Sequence, residues 1–372
     1  MPQVSLIIPT RNEAETICEC IQRAQQVLKE TGLVGEILVA DSSSDETARI
    51  AASCGAKVIK PQKLGYGNAY LAGFEQAEGE YLVLMDGDLT YDPAAMRDMI
   101  AILQSGNYDM VMGSRLKGEI LPGAMPALHR YIGNPVLTWI LNKLFSSSIS
   151  DAHCGLRAIK KDALKKLNLR SGGMEFASEM LIEAVCKDLR IAEVPITYSP
   201  RRGESKLNSF TDGWRHVRFM MLYRPAPFLL APGLLALLFG LALSAGVYLQ
   251  GGSRMHSLIL GGLLLIIGYQ MLLAGLYFEA FGASYGLSRP GRIKKMISYH
   301  SLEKELFIGM ILLAAGVLLG LKVMLSWGIS GFGELDAASS AMMAMIFSIL
   351  GIQTIFSGMF MSLLLLNNGQ QD

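Results

Sequence analysis

Tyr81-Leu82-Val83-Leu84-Met85-Asp86-Gly87-Asp88 is a run of five large side chains that breaks off into two carboxylates. Such an uninterrupted run suits a strand covered on both faces, the habit of a parallel sheet. The single intervening residue, Gly87, permits a bend that aims both carboxylates into one crevice. The same grammar recurs along the chain. Val4 to Pro9 reads as a strand running into Thr10-Arg11-Asn12-Glu13, ahead of a helix from about Ala14 to Glu30. Glu36 to Ala40 reads as a second strand, closed by Asp41-Ser42-Ser43-Ser44-Asp45, and a helix from Glu46 to Ser53 follows. Lys57 to Lys60 is a short third strand, Gly65-Tyr66-Gly67 leads into a helix, and Pro93 opens another. Asp109 to Met112 then continues the alternation into Gly113-Ser114-Arg115. This α/β pattern predicts a mostly parallel sheet with helices on both faces. In such sheets ligands collect beyond the C-terminal ends of the strands, where Glu13, Asp41, Asp86 and Asp88 fall.

Two common nucleotide fingerprints are missing. Pro9-Thr10-Arg11-Asn12-Glu13 stands where G-x-G-x-x-G would follow the first strand, and no G-x-x-x-x-G-K-[ST] occurs. The Asp86 and Asp88 carboxylates instead suit Mg²⁺ or Mn²⁺, which can bridge them to a diphosphate; the bland alternative is an acidic turn. Asp41 can accept hydrogen bonds from a nucleobase or ribose, with Glu13 as neighbour, or either can cap a helix. Arg115 suits bidentate pairing with phosphate oxygens. Arg130 lies in an amphipathic or apolar helical stretch from His129 to Phe145 and faces either a lipid phosphate or solvent. His153, within Asp151 to Arg157, is either structural or chemical. Glu175 and Glu179 are four apart on a helix and share a face, where they either orient sugar hydroxyls or serve as first-turn acids. Cys18, Cys20, Cys54, Cys154 and Cys186 form no spaced framework and read as reduced thiols in a cytoplasmic domain, with no zinc site.

The chain is 51% hydrophobic and only 17% charged, against about 25% charged in ordinary soluble domains. The shortfall lies beyond Pro225. Four apolar stretches, about 228–250, 258–278, 306–327 and 341–366, each reach the roughly 20 residues needed to cross hydrocarbon. Arg289, Arg292, Lys294, Lys295 and Lys304 separate the second from the third, whereas Glu334 and Asp336 follow the third without Lys or Arg. The positive-inside rule then places the N-terminal domain, the 279–305 connection and the C-terminus in the cytoplasm, for an integral protein of the plasma membrane. A formal net charge of +1 provides no global field towards nucleic acid. Basic residues cluster instead at Arg201, Arg202 and Lys206 and at Arg215, Arg218 and Arg224, a place for anionic headgroups or a lipid phosphate, or else a solvated linker. The expected division is a catalytic domain over 1–205, a basic juxtamembrane segment over 206–227 and a transmembrane region over 228–366.

Ile8-Pro9-Thr10-Arg11-Asn12-Glu13, Val39-Ala40-Asp41, Asp86-Gly87-Asp88, Gly113-Ser114-Arg115, the Asp151 to Arg157 run and Gly203-Glu204-Ser205-Lys206 together resemble a known family. In order and placement they are similar to the inverting family 2 glycosyltransferases, specifically the polyprenyl-phosphate (dolichyl-phosphate) sugar synthases. The resemblance covers nearly all of residues 3–225 and continues into transmembrane helices. It implies a GT-A-like nucleotide-sugar domain with Pro9, Glu13 and Asp41 around the base and ribose, and Asp86 and Asp88 holding Mg²⁺ or Mn²⁺ at the diphosphate. It also implies Arg115 and Arg130 near the acceptor or donor phosphates, with Lys206 near the same charge. Together with the reading of the residues this gives a candidate catalytic set of Asp86, Asp88, Arg115, Glu175 and Glu179, neither glutamate as an obligatory base, and an acceptor-phosphate set of Arg115, Arg130, Arg201, Arg202 and Lys206. The implied reaction moves a sugar from a donor of the UDP-glucose or GDP-mannose type to a polyprenyl or dolichyl phosphate, with inversion. The implied partners are donor, lipid acceptor and membrane lipids, and a homo-oligomer is left open. Leu89-Thr90-Tyr91-Asp92-Pro93 departs from the Leu-Gln and prolines of the mannosyl enzymes, which argues against assuming mannose. Two competitors fit less well. A processive polysaccharide synthase would carry a Q-x-x-R-W element before a span, absent here, and a non-catalytic nucleotide-sugar-binding scaffold would not need both Asp86 and Asp88.

Overall fold

The computed structural model describes residues 2–202, 209–249, 254–284, 301–332 and 337–366. They form two compact units, Met1–Met220 and Met221–Asp372.

The first unit is built on seven strands: β1 (Val4–Thr10), β2 (Gly35–Asp41), β3 (Lys57–Ile59), β4 (Tyr81–Leu84), β5 (Met110–Ile120), β6 (Arg157–Lys160) and β7 (Ile191–Tyr198). Their order across the sheet is β3-β2-β1-β4-β6-β5-β7. Every pairing is parallel except those of β6, which runs against both β4 and β5 with Arg157 opposite Leu84 and Met112. The sheet is therefore mostly parallel, as the α/β alternation predicts, with one reversed strand that the alternation does not reveal. All four residues of β4 are buried, as are Val4 to Ile8 of β1, because helices cover both faces.

Eight helices accompany the sheet: α1 (Ile17–Thr31), α2 (Thr47–Ser53), α3 (Tyr66–Gln76), α4 (Ala95–Gln104), α5 (Asn134–Phe145), α6 (Lys161–Leu164), α7 (Phe176–Cys186) and α8 (Ser209–Tyr223). α1 buries Ile17, Cys20, Ile21, Ala24, Val27 and Leu28 at helical spacing and stops at Gly32, whose φ of 67° suits a residue without Cβ. It starts later than expected because residues 13–16 form a turn, in which Thr16 Oγ1 donates to the carbonyl of Gly87 at 2.7 Å. A second glycine matters at the strand ends. Gly65 has φ of 140°, and a Cβ there would stand 2.1 Å from the Gly172 carbonyl oxygen, so the 65–67 turn crosses the 171–173 loop backbone to backbone.

The expectation of five reduced thiols is corrected. Cys18 on α1 and Cys54, the residue after α2, form a disulfide with Cα atoms 5.8 Å apart, and Cys20, Cys154 and Cys186 stand outside it. The two helices pack against one another, and this closes a separation of 36 residues that carries no sequence signature.

The second unit holds α9 (Ala226–Leu249), α10 (Met255–Ser284), α11 (Leu302–Ile329) and α12 (Ala338–Leu366). Each contains a stretch of 22 to 28 residues with mean hydropathy between 1.7 and 2.4. At 1.5 Å per residue these exceed the roughly 30 Å of bilayer hydrocarbon, and the protein is an integral membrane protein. Small residues let backbones approach: a Cβ on Gly240 of α9 would sit 2.7 Å from the Gly261 carbonyl oxygen of α10, and one on Gly316 of α11 2.4 Å from Ser348 Oγ of α12. Tyr269 Oη and Thr354 Oγ1 share a hydrogen bond of 2.7 Å that ties α10 to α12.

Candidate active site

Asp86 and Asp88 stand just past the C-terminal end of β4 and are held by different partners. Tyr66 Oη, at the start of α3, donates to Asp86 Oδ1 at 3.1 Å. Asp88 Oδ1 accepts the Thr90 amide at 3.1 Å and the Thr90 hydroxyl at 2.6 Å. Its second oxygen lies 3.4 Å from Arg201 Nε, and Arg201 Nη2 reaches Glu13 Oε1 at 2.8 Å. One guanidinium thus bridges the acids that follow β1 and β4. Gly155 lies against the pair, since a Cβ there would come within 2.8 Å of Asp86 Oδ2. Tyr91 Oη accepts the Gly155 amide at 2.8 Å and fixes that approach.

These surroundings crowd two carboxylates together at the end of β4. Burial, and then the Asp88 carboxylate, push the Asp86 carboxyl up to about 7, against the opposing pull of Tyr66, Arg201 and Arg115. Two carboxylates crowded in this way fit a divalent cation, which would relieve the repulsion that now favours a proton on Asp86. Among the described residues no set of three or more His, Cys, Asp or Glu side chains is grouped as a metal cage.

The other expected residues divide. Asp41 ends β2 beside Thr10 and accepts the Thr10 hydroxyl at 2.7 Å and the Ser43 amide at 3.2 Å, on the same strand edge as Glu13. Pro9 is the β1 residue paired with Ala40. Arg115 does not present a free guanidinium. It is 7% exposed and locked to the fully buried Asp151 through its amide (3.1 Å), Nε (2.7 Å) and Nη2 (2.8 Å), with its charge 5.2 Å above the Tyr198 ring. Glu179 turns to the backbone and accepts the amides of Arg170 and Ser171 at 2.8–3.1 Å, while burial raises its carboxyl above the usual range. Glu175 immediately precedes α7, its carboxylate folded over Gly173. Arg202 pairs with Glu19 on α1 at 2.8 Å. Arg130 sits in a π-helical turn, His129–Gly133, over the Tyr131 ring. Lys206 lies outside the described residues.

His153 is half-buried beside Ser178 and His216, and its Nδ1 is a buried atom without a hydrogen-bond partner. Its Nε2 is 3.3 Å from Ser178 Oγ, which also meets His216 Nδ1 at 2.8 Å, and the two imidazoles meet edge to face. Burial, followed by His216, Arg115 and Arg157, holds its pKa well below the usual histidine range. Arg157, the last residue of the Asp151 to Arg157 run, is buried and donates to three carbonyls, those of Cys154, Ala177 and Ala152, at 2.6–2.9 Å. It staples the 151–157 loop over the aspartates. Tyr66 and Tyr91 are the residues that sequence reasoning missed. Their only signal was position, one between the two glycines of 65–67 and the other two residues beyond Leu89.

Comparisons with known proteins place the chain in a family. The family model for glycosyl transferase family 2 matches residues 5–168, and that for the glycosyltransferase family 2 C-terminal transmembrane region matches 276–365. The low-salt glycan biosynthesis hexosyltransferase Agl6 of Haloferax volcanii is 42% identical over 360 residues, 95% of this chain and 87% of that protein. The dolichyl-phosphate hexose transferase of the same organism is 30% identical over 211 residues, 56% of this chain and 89% of that protein. Among solved structures, glucosyl-3-phosphoglycerate synthase from Mycobacterium tuberculosis, in complex with Mn²⁺, UDP and phosphoglyceric acid, gives a TM-score of 0.50 at 20% identity. The match covers 59% of this chain and 78% of that one, and at this identity the likeness is one of fold.

Proposed function

This chain belongs to glycosyltransferase family 2, and from that premise we propose that it transfers a sugar from a nucleoside diphosphate donor to a polyprenyl phosphate in the membrane. The observation that carries the reading is the crevice beyond β1, β2 and β4, where the Arg201 guanidinium bridges Glu13 and Asp88 beside Asp86, and Asp41 closes β2 next to Thr10 of β1. Asp86 and Asp88 would hold Mg²⁺ or Mn²⁺, whose contribution when bound is Lewis-acid stabilisation of the departing diphosphate. Tyr66 and Thr90 keep the two carboxylates in place, so little reorganisation remains to be paid on binding. Arg201 supplies a fixed positive charge where an anionic donor would lie. Asp41, beside Thr10, is placed to accept from the base or ribose.

A phosphate acceptor accounts for how the other acids are used. A hydroxyl nucleophile would call for a general base; Glu179 is spent on backbone amides and Asp151 on Arg115, which leaves Glu175, beside Gly173, as the acid of that helix to test by Glu175→Gln. A phosphate is already an anion at neutral pH. Its oxygen forms a bond to the anomeric carbon as the bond to the leaving diphosphate breaks, and attack from the opposite face inverts that centre. The four spans put the enzyme where such a lipid resides, and one relative is named for dolichyl phosphate. The basic 279–305 connection supports a cytoplasmic catalytic unit.

The test is purified full-length protein in nanodiscs with a panel of UDP- and GDP-sugars, Mn²⁺ or Mg²⁺, and polyprenyl phosphates, read by mass analysis of the lipid. One donor should yield a sugar phosphate-linked polyprenol only with metal. Transfer confined to a glycan hydroxyl would overturn the acceptor assignment.

A further inference from the structure

Two guanidiniums, those of Arg201 and Arg115, lie close enough to pull on the Asp86 carboxyl, and the fold treats them in opposite ways. Arg115 is satisfied, since its Nε and Nη2 donate to the two oxygens of Asp151 at 2.7 and 2.8 Å. Arg201 is not. Its Nη2 donates to Glu13 Oε1 at 2.8 Å, but its Nε, 3.4 Å from Asp88 Oδ2, is a buried atom without a hydrogen-bond partner. A buried donor left unmade is costly, so the contact with Asp88 is one of charge alone and gives way to a better acceptor. The oxygen concerned is the one that matters. Asp88 Oδ1 is taken by the amide and hydroxyl of Thr90, so Oδ2 is the oxygen left for a ligand, and Arg201 stands on it.

Building on Asp86 and Asp88 as the metal ligands, we propose that Arg201 is a built-in cation that guards Asp88 until a nucleoside diphosphate draws it away, so that metal and donor bind as a linked pair. A positive charge 3.4 Å from Oδ2 repels a divalent ion at that same oxygen. A diphosphate removes the obstacle, because its oxygens offer the unsatisfied Nε the acceptor it lacks, and guanidinium matches phosphate as well as it matches carboxylate. As Arg201 turns to the phosphates, Asp88 Oδ2 is uncovered for Mg²⁺ or Mn²⁺. The positive charge stays in the crevice throughout; only its partner changes. Linkage makes the effect mutual: the factor by which the diphosphate tightens the metal is the factor by which the metal tightens the diphosphate. Arg201 thereby keeps the donor-free crevice from collecting divalent ions.

Mn²⁺ binding to full-length, donor-free protein in detergent, followed by electron paramagnetic resonance above pH about 7, where Asp86 is ionised, tests this without any sugar transfer. Arg201→Gln should bind Mn²⁺ about tenfold or more tightly than wild type, because a like charge has left the ion's neighbourhood. A gain of affinity cannot come from a misfolded site. Arg201→Lys keeps the charge and should stay nearer to wild type. Arg202→Gln, which removes an exposed charge paired with Glu19, should change the affinity by less than about threefold, since solvent screens it. UDP and GDP serve as probes of the diphosphate. The one that binds should tighten Mn²⁺ in wild type by about 5–150-fold, allowing for the metal–nucleotide complex in solution, and by a clearly smaller factor in Arg201→Gln. Equal or weaker Mn²⁺ binding in Arg201→Gln, where Asp88→Asn does abolish binding, would overturn the guarding role and leave the metal assignment standing. An equal nucleotide effect in wild type and Arg201→Gln, or none in wild type, would overturn it as well. Mn²⁺ binding that Asp88→Asn leaves untouched would overturn both.

Discussion

Asp151→Ala removes the carboxylate on which Arg115 rests and leaves a guanidinium that is 7% exposed without it. The native pair makes three contacts of 2.7–3.1 Å, including both arms of a bidentate pair. Stranding one charge of a buried pair costs about 3–5 kcal/mol, against a total stability of about 5–15 kcal/mol for a typical domain. At 1.36 kcal/mol per decade, amides of β5 and β6 that exchange through opening of the unit should do so about 10²–10⁴ times faster. Hydrogen exchange of the full-length protein in detergent, followed by mass spectrometry on peptides covering Met110–Ile120 and Arg157–Lys160, reads this directly. The paired change Arg115→Met with Asp151→Leu should recover most of the loss, because no charge is then left in the interior. Exchange in Asp151→Ala within about threefold of wild type, the size of an ordinary surface substitution, would refute the reasoning. So would a double variant as damaged as the single one. The double variant has a further use: if it folds but no longer transfers sugar, the Arg115 charge acts on a substrate as well as on Asp151.

Asp88→Asn should fold normally by the same exchange measurement yet lose about 10²–10³ or more in transfer rate, with no recovery on titrating Mn²⁺; near-normal turnover, or a wild type indifferent to chelation, would leave the motif as an acidic turn. Mn²⁺ binding to donor-free enzyme, measured by electron paramagnetic resonance, should strengthen as pH rises towards about 7, where the Asp86 carboxyl gives up its proton. The sign for stability is opposite: the folded chain holds that proton more tightly than the unfolded one, so metal-free enzyme should lose stability as pH climbs from 3.8 to about 7, and a flat profile in both measurements contradicts the crowded pair. Cys18→Ser with Cys54→Ser should lower the stability of the first unit by about 2–4 kcal/mol, and alkylation of denatured but unreduced wild type should label three of five cysteines; labelling of all five would exclude the cross-link. Reporters fused after Ser298 and Asp372 should be cytoplasmic and one at Asp336 external, and an external signal at Ser298 would reverse the topology.

The parts of the fold that could be read from the chain are those where burial is two-sided. β1 and β4 are continuous apolar runs because helices cover them above and below, and the acids that follow stand out by contrast. The spans announce themselves for the same reason, lipid allowing no polar face. β6 was invisible because Arg157-Ala158-Ile159-Lys160 is short and flanked by charge, and a buried arginine satisfied by three carbonyls looks from sequence like an exposed one. Arg115 gave the reverse problem. Its place at a strand end suits a ligand, but its partner Asp151 lies 36 residues away and only the folded sheet joins them. Glu175 and Glu179 share a helix, yet Glu179 is taken up by the 170–171 amides, a demand set by the loop packed against Gly65 and Gly67. The Cys18 and Cys54 pairing is of the same long-range kind.

The reversal of β6 has a consequence for how the enzyme can change. In a fully parallel sheet each connection must carry the chain from one edge back to the other. Here β5 ends, and antiparallel β6 begins, on the same edge that bears Asp86 and Asp88. The whole 121–156 excursion therefore leaves and returns at one rim, like a handle with both feet on the same lip of a cup. A handle can be lengthened, shortened or exchanged without rethreading the vessel. Variation among related enzymes should concentrate in the outer part of this stretch, while Asp151, which holds Arg115, Gly155, which lies against Asp86, and the rim made by β1, β2 and β4 stay constant.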